Sequence, residues 1–174
     1  MGEIRNPEKA LSFAGIMLAP GIPLDNLSSF EDAFGAPVEI FGPVDFSSIS
    51  KYYDEEMGAG IRKYYAYFNR IIDPSDLKND KMISNRIEDG MKRSGKRTVN
   101  FDIGCIELSK LILASTKNFY HRIHLGGGIY AEVTLFYKDK HFEAFPWTYP
   151  DYKLPDVRAF VQKAREHFYA KEKH

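Results

Sequence analysis

Apolar residues recur along this chain in two rhythms, one alternating and one returning every three or four positions. Between Arg97 and Ile103 the pattern alternates, with Val99, Phe101 and Ile103 on one side and Thr98, Asn100 and Asp102 on the other. Such alternation predicts a half-buried strand. Towards the C-terminus, apolar residues at 157, 160, 161, 164 and 168 predict an amphipathic helix from Pro155 to Lys171. Near the N-terminus, the apolar run Phe13–Leu18, closed by Ala-Pro-Gly-Ile-Pro, predicts a buried first strand. Asp25 or Asn26 can cap a helix through about Phe34, stopped by Gly35 and then Pro37.

The middle of the chain continues the alternation of element types. Val38 to Phe46 predicts a second strand, and its Gly42-Pro43 break implies a bulge or an edge position, because proline cannot donate to a ladder. Ile61–Ile72, with four aromatics among basic residues, predicts a third strand. Ser75 is the expected N-cap of a helix to about Met91. Ile106–Thr116 fits a strand or a buried helix equally well. This order predicts one α+β domain: a split βαβ (ferredoxin-like) arrangement, an antiparallel hairpin extension and a C-terminal helix. Met1–Lys9 and Ala170–His174 are expected to fray.

The hairpin extension comes from His121–Val133, where two strands flank three glycines. A three-residue loop, Gly126–Gly128, pairs Leu125 with Ile129 and Ile123 with Ala131, and gathers Ile123, Leu125, Ile129, Ala131, Val133 and Leu135 on one buried face. The opposite, exposed face then carries Tyr120, Arg122, His124, Tyr130, Glu132 and Thr134, while His121 falls on the apolar side.

Charge and composition narrow the functions. The chain has 174 residues, with 24 Lys plus Arg against 24 Asp plus Glu. Zero formal charge disfavours broad binding to nucleic-acid backbones, which normally needs a basic excess. The single cysteine, Cys105, forms no internal disulfide, and no apolar run is long enough to span a membrane. The expected location is the cytoplasm, away from membranes.

Several chemical motifs fail on inspection. Gly90–Lys96 has phosphate-loop spacing, but Arg97 stands where Ser or Thr would hold magnesium, and the segment leaves a helix and enters a strand. No dinucleotide fingerprint or serine elbow occurs. On a strand, His121 and His124 point to opposite faces and cannot share an ion. A metal between His124, Glu132 and Asp102 requires neighbouring strands, so no metal is assigned and the residues specify no cofactor. Cys105 reads as a small buried hydrophobe.

What remains is the polar and aromatic stretch from Arg97 to Tyr152. One reading makes it a site for a small molecule, an anion or a nucleotide. Arg122 and Lys117 would hold the anion, and His124, Asp102 and Glu132 would serve as acid, base or catalytic groups. Asn100, Tyr130 and Asp151 would add polar contacts, and Trp147 and Tyr149 would stack on the ligand. A second reading is an RNA- or protein-binding module using Tyr64, Tyr65, Tyr67 and Phe68 beside Arg62, Lys63 and Arg70. A third is a structural or assembly role with an ordinary polar surface.

The segments Tyr52–Gly58, Ile72–Leu77, Arg97–Asp102, Leu113–Lys117, His121–Thr134 and Trp147–Tyr152 resemble domain-of-unknown-function family 4416. The resemblance implies a small standalone bacterial or archaeal protein and carries over no activity, substrate or catalytic residue. Some members bear a GTP-binding label, which the defective loop at Gly90 does not support. Where the family pattern has Asp-Pro-Gly-Tyr, this chain has Asp102-Ile-Gly-Cys105, and a role for Cys105 loses support accordingly.

Overall fold

The computed structural model describes residues 2–172; Met1, Lys173 and His174 lie outside them. Residues 2–9 form no regular element, and the C-terminal helix continues past Ala170 to Glu172. The central element is β1 (Ala10–Leu18), in which all nine residues are buried. It is longer than the apolar run suggested because it lies between two strands and is covered on both faces.

A 3-10 turn at Leu24–Asn26 leads to α1 (Ser28–Phe34), and neither element has a side-chain cap. Strand β2 (Pro37–Asp45) is an edge strand paired only with β3, and its register slips between Phe41 and Val44 around a cis Gly42–Pro43 bond. It is therefore both bulged and peripheral. Two single-turn helices, α2 (Phe46–Ile49) and α3 (Asp54–Met57), precede β3 (Arg62–Ile72). The helix α4 (Leu77–Gly90) follows a 3-10 turn at Pro74–Asp76. That turn is capped by Asp73, which accepts the Ser75 N–H at 3.0 Å; the cap is thus the aspartate and not Ser75.

The ambiguous stretch contains a strand. β4 (Val99–Ile106) is followed by β5 (Lys110–Ser115), β6 (Ile123–Gly126), β7 (Ile129–Lys138), β8 (His141–Ala144) and α5 (Pro155–Glu172). All pairings are antiparallel, in the order β2-β3-β1-β4-β5-β7-β6, with β8 also on β7. Helices cover both faces. Val99, Phe101 and Ile103 pack with Phe30 and Phe34 of α1 and Leu77 of α4. Leu11, Phe13, Tyr65 and Tyr67 pack against Val157, Phe160, Val161, Ala164 and Phe168 of α5. Each such buried side chain contributes about 1.5–3 kcal/mol, so five on one stripe suffice to fasten α5. Tyr64, Tyr65, Tyr67 and Phe68 are all buried in these cores, and β3 offers no aromatic row for bases to stack on.

The hairpin register is only partly as expected. Ile123 pairs with Ala131 and His124 with Tyr130, but Gly126 pairs with Ile129 and Leu125 bulges out. Gly127 and Gly128 both have positive φ, so the loop is a two-residue turn of the kind that matches strand twist. The predicted faces also change. Ile123 is 73% exposed, whereas Glu132 and Thr134 are 3% and 0% exposed. The segment after β8 folds over the polar face, where Thr148 Oγ1 donates to the Thr134 carbonyl and Trp147 Nε1 to that of Val133. A register slip in the β5–β7 ladder between Leu135 and Val133 reverses the side-chain alternation there.

The β4–β5 junction is the feature that makes a site. The two strands pair only where Gly104–Ile106 meets Leu111–Leu113, then separate. Beyond that point the outer edge of β4 is served by helix α4. The Phe101 N–H donates to Glu88 Oε1 at 2.8 Å, and Lys81 Nζ donates to the Phe101 carbonyl at 2.6 Å. These side chains replace a missing strand, since buried backbone groups need partners.

Candidate functional site

On the α5 side of the sheet, Gly15 lies between Tyr65 of β3 and Asp102 of β4 in one cross-strand row. Its missing side chain leaves room for the Lys63 stem and the Tyr152 phenol. A Cβ on Gly15 would stand 2.6 Å from Tyr152 Oη and 3.1 Å from Lys63 Cε. Lys63 is 1% exposed. Its Nζ lies 2.7 Å from Asp102 Oδ2 and 2.7 Å from Asp151 Oδ2, and the Tyr65 hydroxyl donates to Asp151 Oδ2 at 2.7 Å. The rings of Phe46, Tyr65 and Tyr152 surround the ammonium. Burial opposes its charge, but Asp102 and Asp151 outweigh that and hold its pKa well above the ordinary lysine value.

Asp102 also accepts from Asn100 Nδ2 at 3.2 Å, and Asn100 Oδ1 accepts from Arg97 at 2.8 Å. Arg97 reaches Glu56 at 3.2 Å and Glu88 at 3.7 Å. Burial pushes the Glu88 carboxyl up, against the pull of Lys81. Facing this wall across the gap, Arg122 organises the loop after β5. Its guanidinium donates to Glu132 at 2.8 Å, the Lys117 carbonyl at 2.8 Å, Ser115 Oγ at 3.2 Å and Tyr149 Oη at 2.6 Å. Glu132 is fully engaged, for His121 Nε2 lies 3.1 Å away and Thr134 Oγ1 donates to it. The Lys117 ammonium sits over the Tyr52 and Tyr53 rings and donates to Tyr52 Oη at 2.8 Å.

Between these walls is a cleft of about 280 Å³. Asn100, Asp102, Lys117, Glu132 and Tyr149 line it, together with Tyr53, Arg97 and α4 residues including Lys81 and Glu88. Asp151 lies behind Asp102, joined to it through Lys63. Arg122 holds lining groups in place, with most of its N–H groups already committed. Besides Arg122 and Asp151, three more sequence candidates, His124, Tyr130 and Trp147, lie outside the lining. His124 packs on Tyr130 and accepts from the Gly128 N–H at 3.3 Å, both being tied up at the hairpin end. Trp147 stacks between Phe145 and His121. His121 itself stands beside Glu132, not on the apolar face. No cluster of three or more His, Cys, Asp or Glu suited to a metal occurs among the described residues.

Sequence reasoning did not assign Lys63, Lys81, Glu88 or Tyr53 to this site. Lys63 was named only for the RNA- or protein-binding reading, and Tyr53 only within the segment Tyr52–Gly58. Lys81 and Glu88 stood on a helix whose relation to β4 no local pattern could give.

The phenols of the site supply a pH test. Burial above all raises the pKa values of Tyr53, Tyr65 and Tyr152, and that of Tyr149 to about 12. In the unfolded chain tyrosine ionises near ~10. Between those limits the folded state holds more protons, so this stability is complete below pH ~10 and is lost as pH rises towards 12. Urea midpoints should fall over that window while phenolate absorbance lags. Ionisation of all eleven tyrosines near pH ~10 with the fold intact would refute this.

No curated protein and no solved structure matches the chain. A family model does, described as Domain of unknown function (DUF4416) and matching residues 9–168. That span runs from just before β1 into α5 and takes in every residue of the cleft, so the chain belongs to this family.

Proposed function

We propose that the β4–β5 cleft binds a small polar molecule that is anionic at one end, with Asp102 as the group that accepts a hydrogen bond or a proton from the other. The observation that carries this reading is Lys117, the one cation lining the cleft for which no carboxylate partner is found among the described residues. The second support is the cost of the floor. A lysine buried between two aspartates is a poor way to stabilise a core, where apolar groups of equal volume do as well or better. Here the arrangement fixes the one acidic group of the network that reaches the cleft, Asp102, whose side chain is 21% exposed. Perturbed ionisable groups cluster at functional sites, and the Lys63 network lies directly behind the Asp102 wall of the cleft.

The same reading includes two coarser supports. The order β2-β3-β1-β4, with α1 and α4 on one face, supports a split βαβ half extended by β5–β8. The lone buried Cys105 supports a reducing, cytoplasmic setting.

Thermal-shift titration against polar metabolites and nucleotides tests the binding claim, since a ligand at 100 times its Kd adds about 2.7 kcal/mol to native stability. Lys117 is exposed, so Lys117→Met should leave the unliganded melting temperature unchanged and remove the ligand-induced rise. A panel in which every compound leaves the melting temperature unmoved would end the proposal.

A further inference from the structure

Resting on that binding site, we infer that its ligand is a small hydroxy- or amino-monocarboxylate, and not a phosphate ester or a nucleotide. Lys81 is matched by Glu88, Arg97 by Glu56 and Glu88, and Asp89 by Lys92. Asp102 and Asp151 share Lys63, and Glu132 is matched by Arg122. With Asp151 included the charges balance as a whole, and Lys117 is the one cation of the lining with no carboxylate partner among the described residues, so it suits a ligand with a single negative charge. A phosphate monoester or nucleotide carries two or more, and would ordinarily be met by an arginine fork or several cations. Both arginines of the site are already committed to carboxylates.

Hydrogen-bond direction gives the second constraint. Arg122 donates to Ser115 Oγ and to Tyr149 Oη, and the Lys117 N–H also donates to Ser115 Oγ. Ser115 Oγ thus accepts two hydrogen bonds and Tyr149 Oη one, and each hydroxyl keeps a proton to donate outward. Lys117 donates to Tyr52 Oη in the same way. The Lys117 side of the cleft therefore offers the Lys117 ammonium and the Ser115 and Tyr149 hydroxyls as donors to the two oxygens of a carboxylate, while the Glu132 carboxylate of that wall is taken up by Arg122, His121 and Thr134.

The floor is the reverse. Asp102 is an acceptor whose Oδ1 has only the Asn100 amide, at 3.2 Å. It calls for a donor on the ligand, a hydroxyl or an ammonium, a few bonds from the carboxylate. The volume of about 280 Å³ lies just below the range of drug-sized sites and has room for a ligand of this size.

The test uses the full chain labelled with ¹⁵N and follows the amides of Asp102 and Ser115–Lys117. Probes are serine, glycerate, propionate, inorganic phosphate and GTP, each raised through about 1 mM. Serine or glycerate should shift these amides, propionate should bind about tenfold more weakly for want of the donor, and Lys117→Met should weaken binding about tenfold. If phosphate or GTP moves the same amides in a Lys117-dependent way and the carboxylates do not, the ligand class is wrong while the binding site stands. If serine and glycerate leave the amides unmoved, the inference falls as well; whether the binding site falls with it is decided by the thermal-shift panel.

Discussion

Replacing Lys63 with methionine is expected to lower the free energy of unfolding by about 3–5 kcal/mol, the cost of leaving buried charge without its counterion. Against a total stability of about 5–15 kcal/mol for a domain, that loss brings the protein close to unfolding. Methionine fits among Phe46, Tyr65 and Tyr152, so the effect is electrostatic and not a cavity. The carboxylates left behind are Asp151, 1% exposed, and Asp102, partly open to the cleft. Neutralising both, in Lys63→Met with Asp102→Asn and Asp151→Asn, should recover much of the loss, and asparagine at 151 still accepts from Tyr65. Urea unfolding of the single and triple variants measures both numbers. A single variant within about 1 kcal/mol of the parent would mean that these carboxylates are not buried as described.

Gly15→Ala should cost about 1–3 kcal/mol through overpacking, for its Cβ meets the Tyr152 hydroxyl oxygen and the Lys63 stem. The Tyr152 hydroxyl is buried and has no hydrogen-bond partner among the described residues. Tyr152→Phe alone therefore sacrifices no bond and should leave stability equal or higher. Combined with Gly15→Ala, it removes the closest clash and should restore most of the lost stability. Thermal or urea unfolding of the two single variants and the double variant completes the cycle. Strict additivity of the two changes would show that Gly15 and Tyr152 do not meet.

These residues also show what the sequence could tell. Alternation identified β4 because its two faces differ in polarity although both are covered, and it identified the stripe of α5 because that helix buries one face against the sheet. It could not settle β5, a short strand whose apolar run suited either element. The hairpin was visible from its glycines, but the bulge at Leu125 and the slip near Thr134 depend on partners distant in sequence. That is why Glu132 and Thr134 were expected to be exposed and are buried. The cleft was half legible. Asn100, Asp102, Lys117, Glu132 and Tyr149 lie in the polar stretch the pattern singled out. Lys63 did not, because its role arises only when Asp102 and Asp151 are brought to it across 39 and 88 positions of chain.

Where β4 leaves β5, its Phe101 amide is secured by the Glu88 carboxylate, and its carbonyl by the Lys81 ammonium. Ladder bonds between strands are neutral and indifferent to ionisation, whereas both of these are made by charged side chains and are stronger for it. The outer edge of β4 is thus held by salt-like clasps reaching down from a helix. Its integrity depends on α4 being seated and on the protonation of one carboxyl, a dependence no ordinary inner strand has.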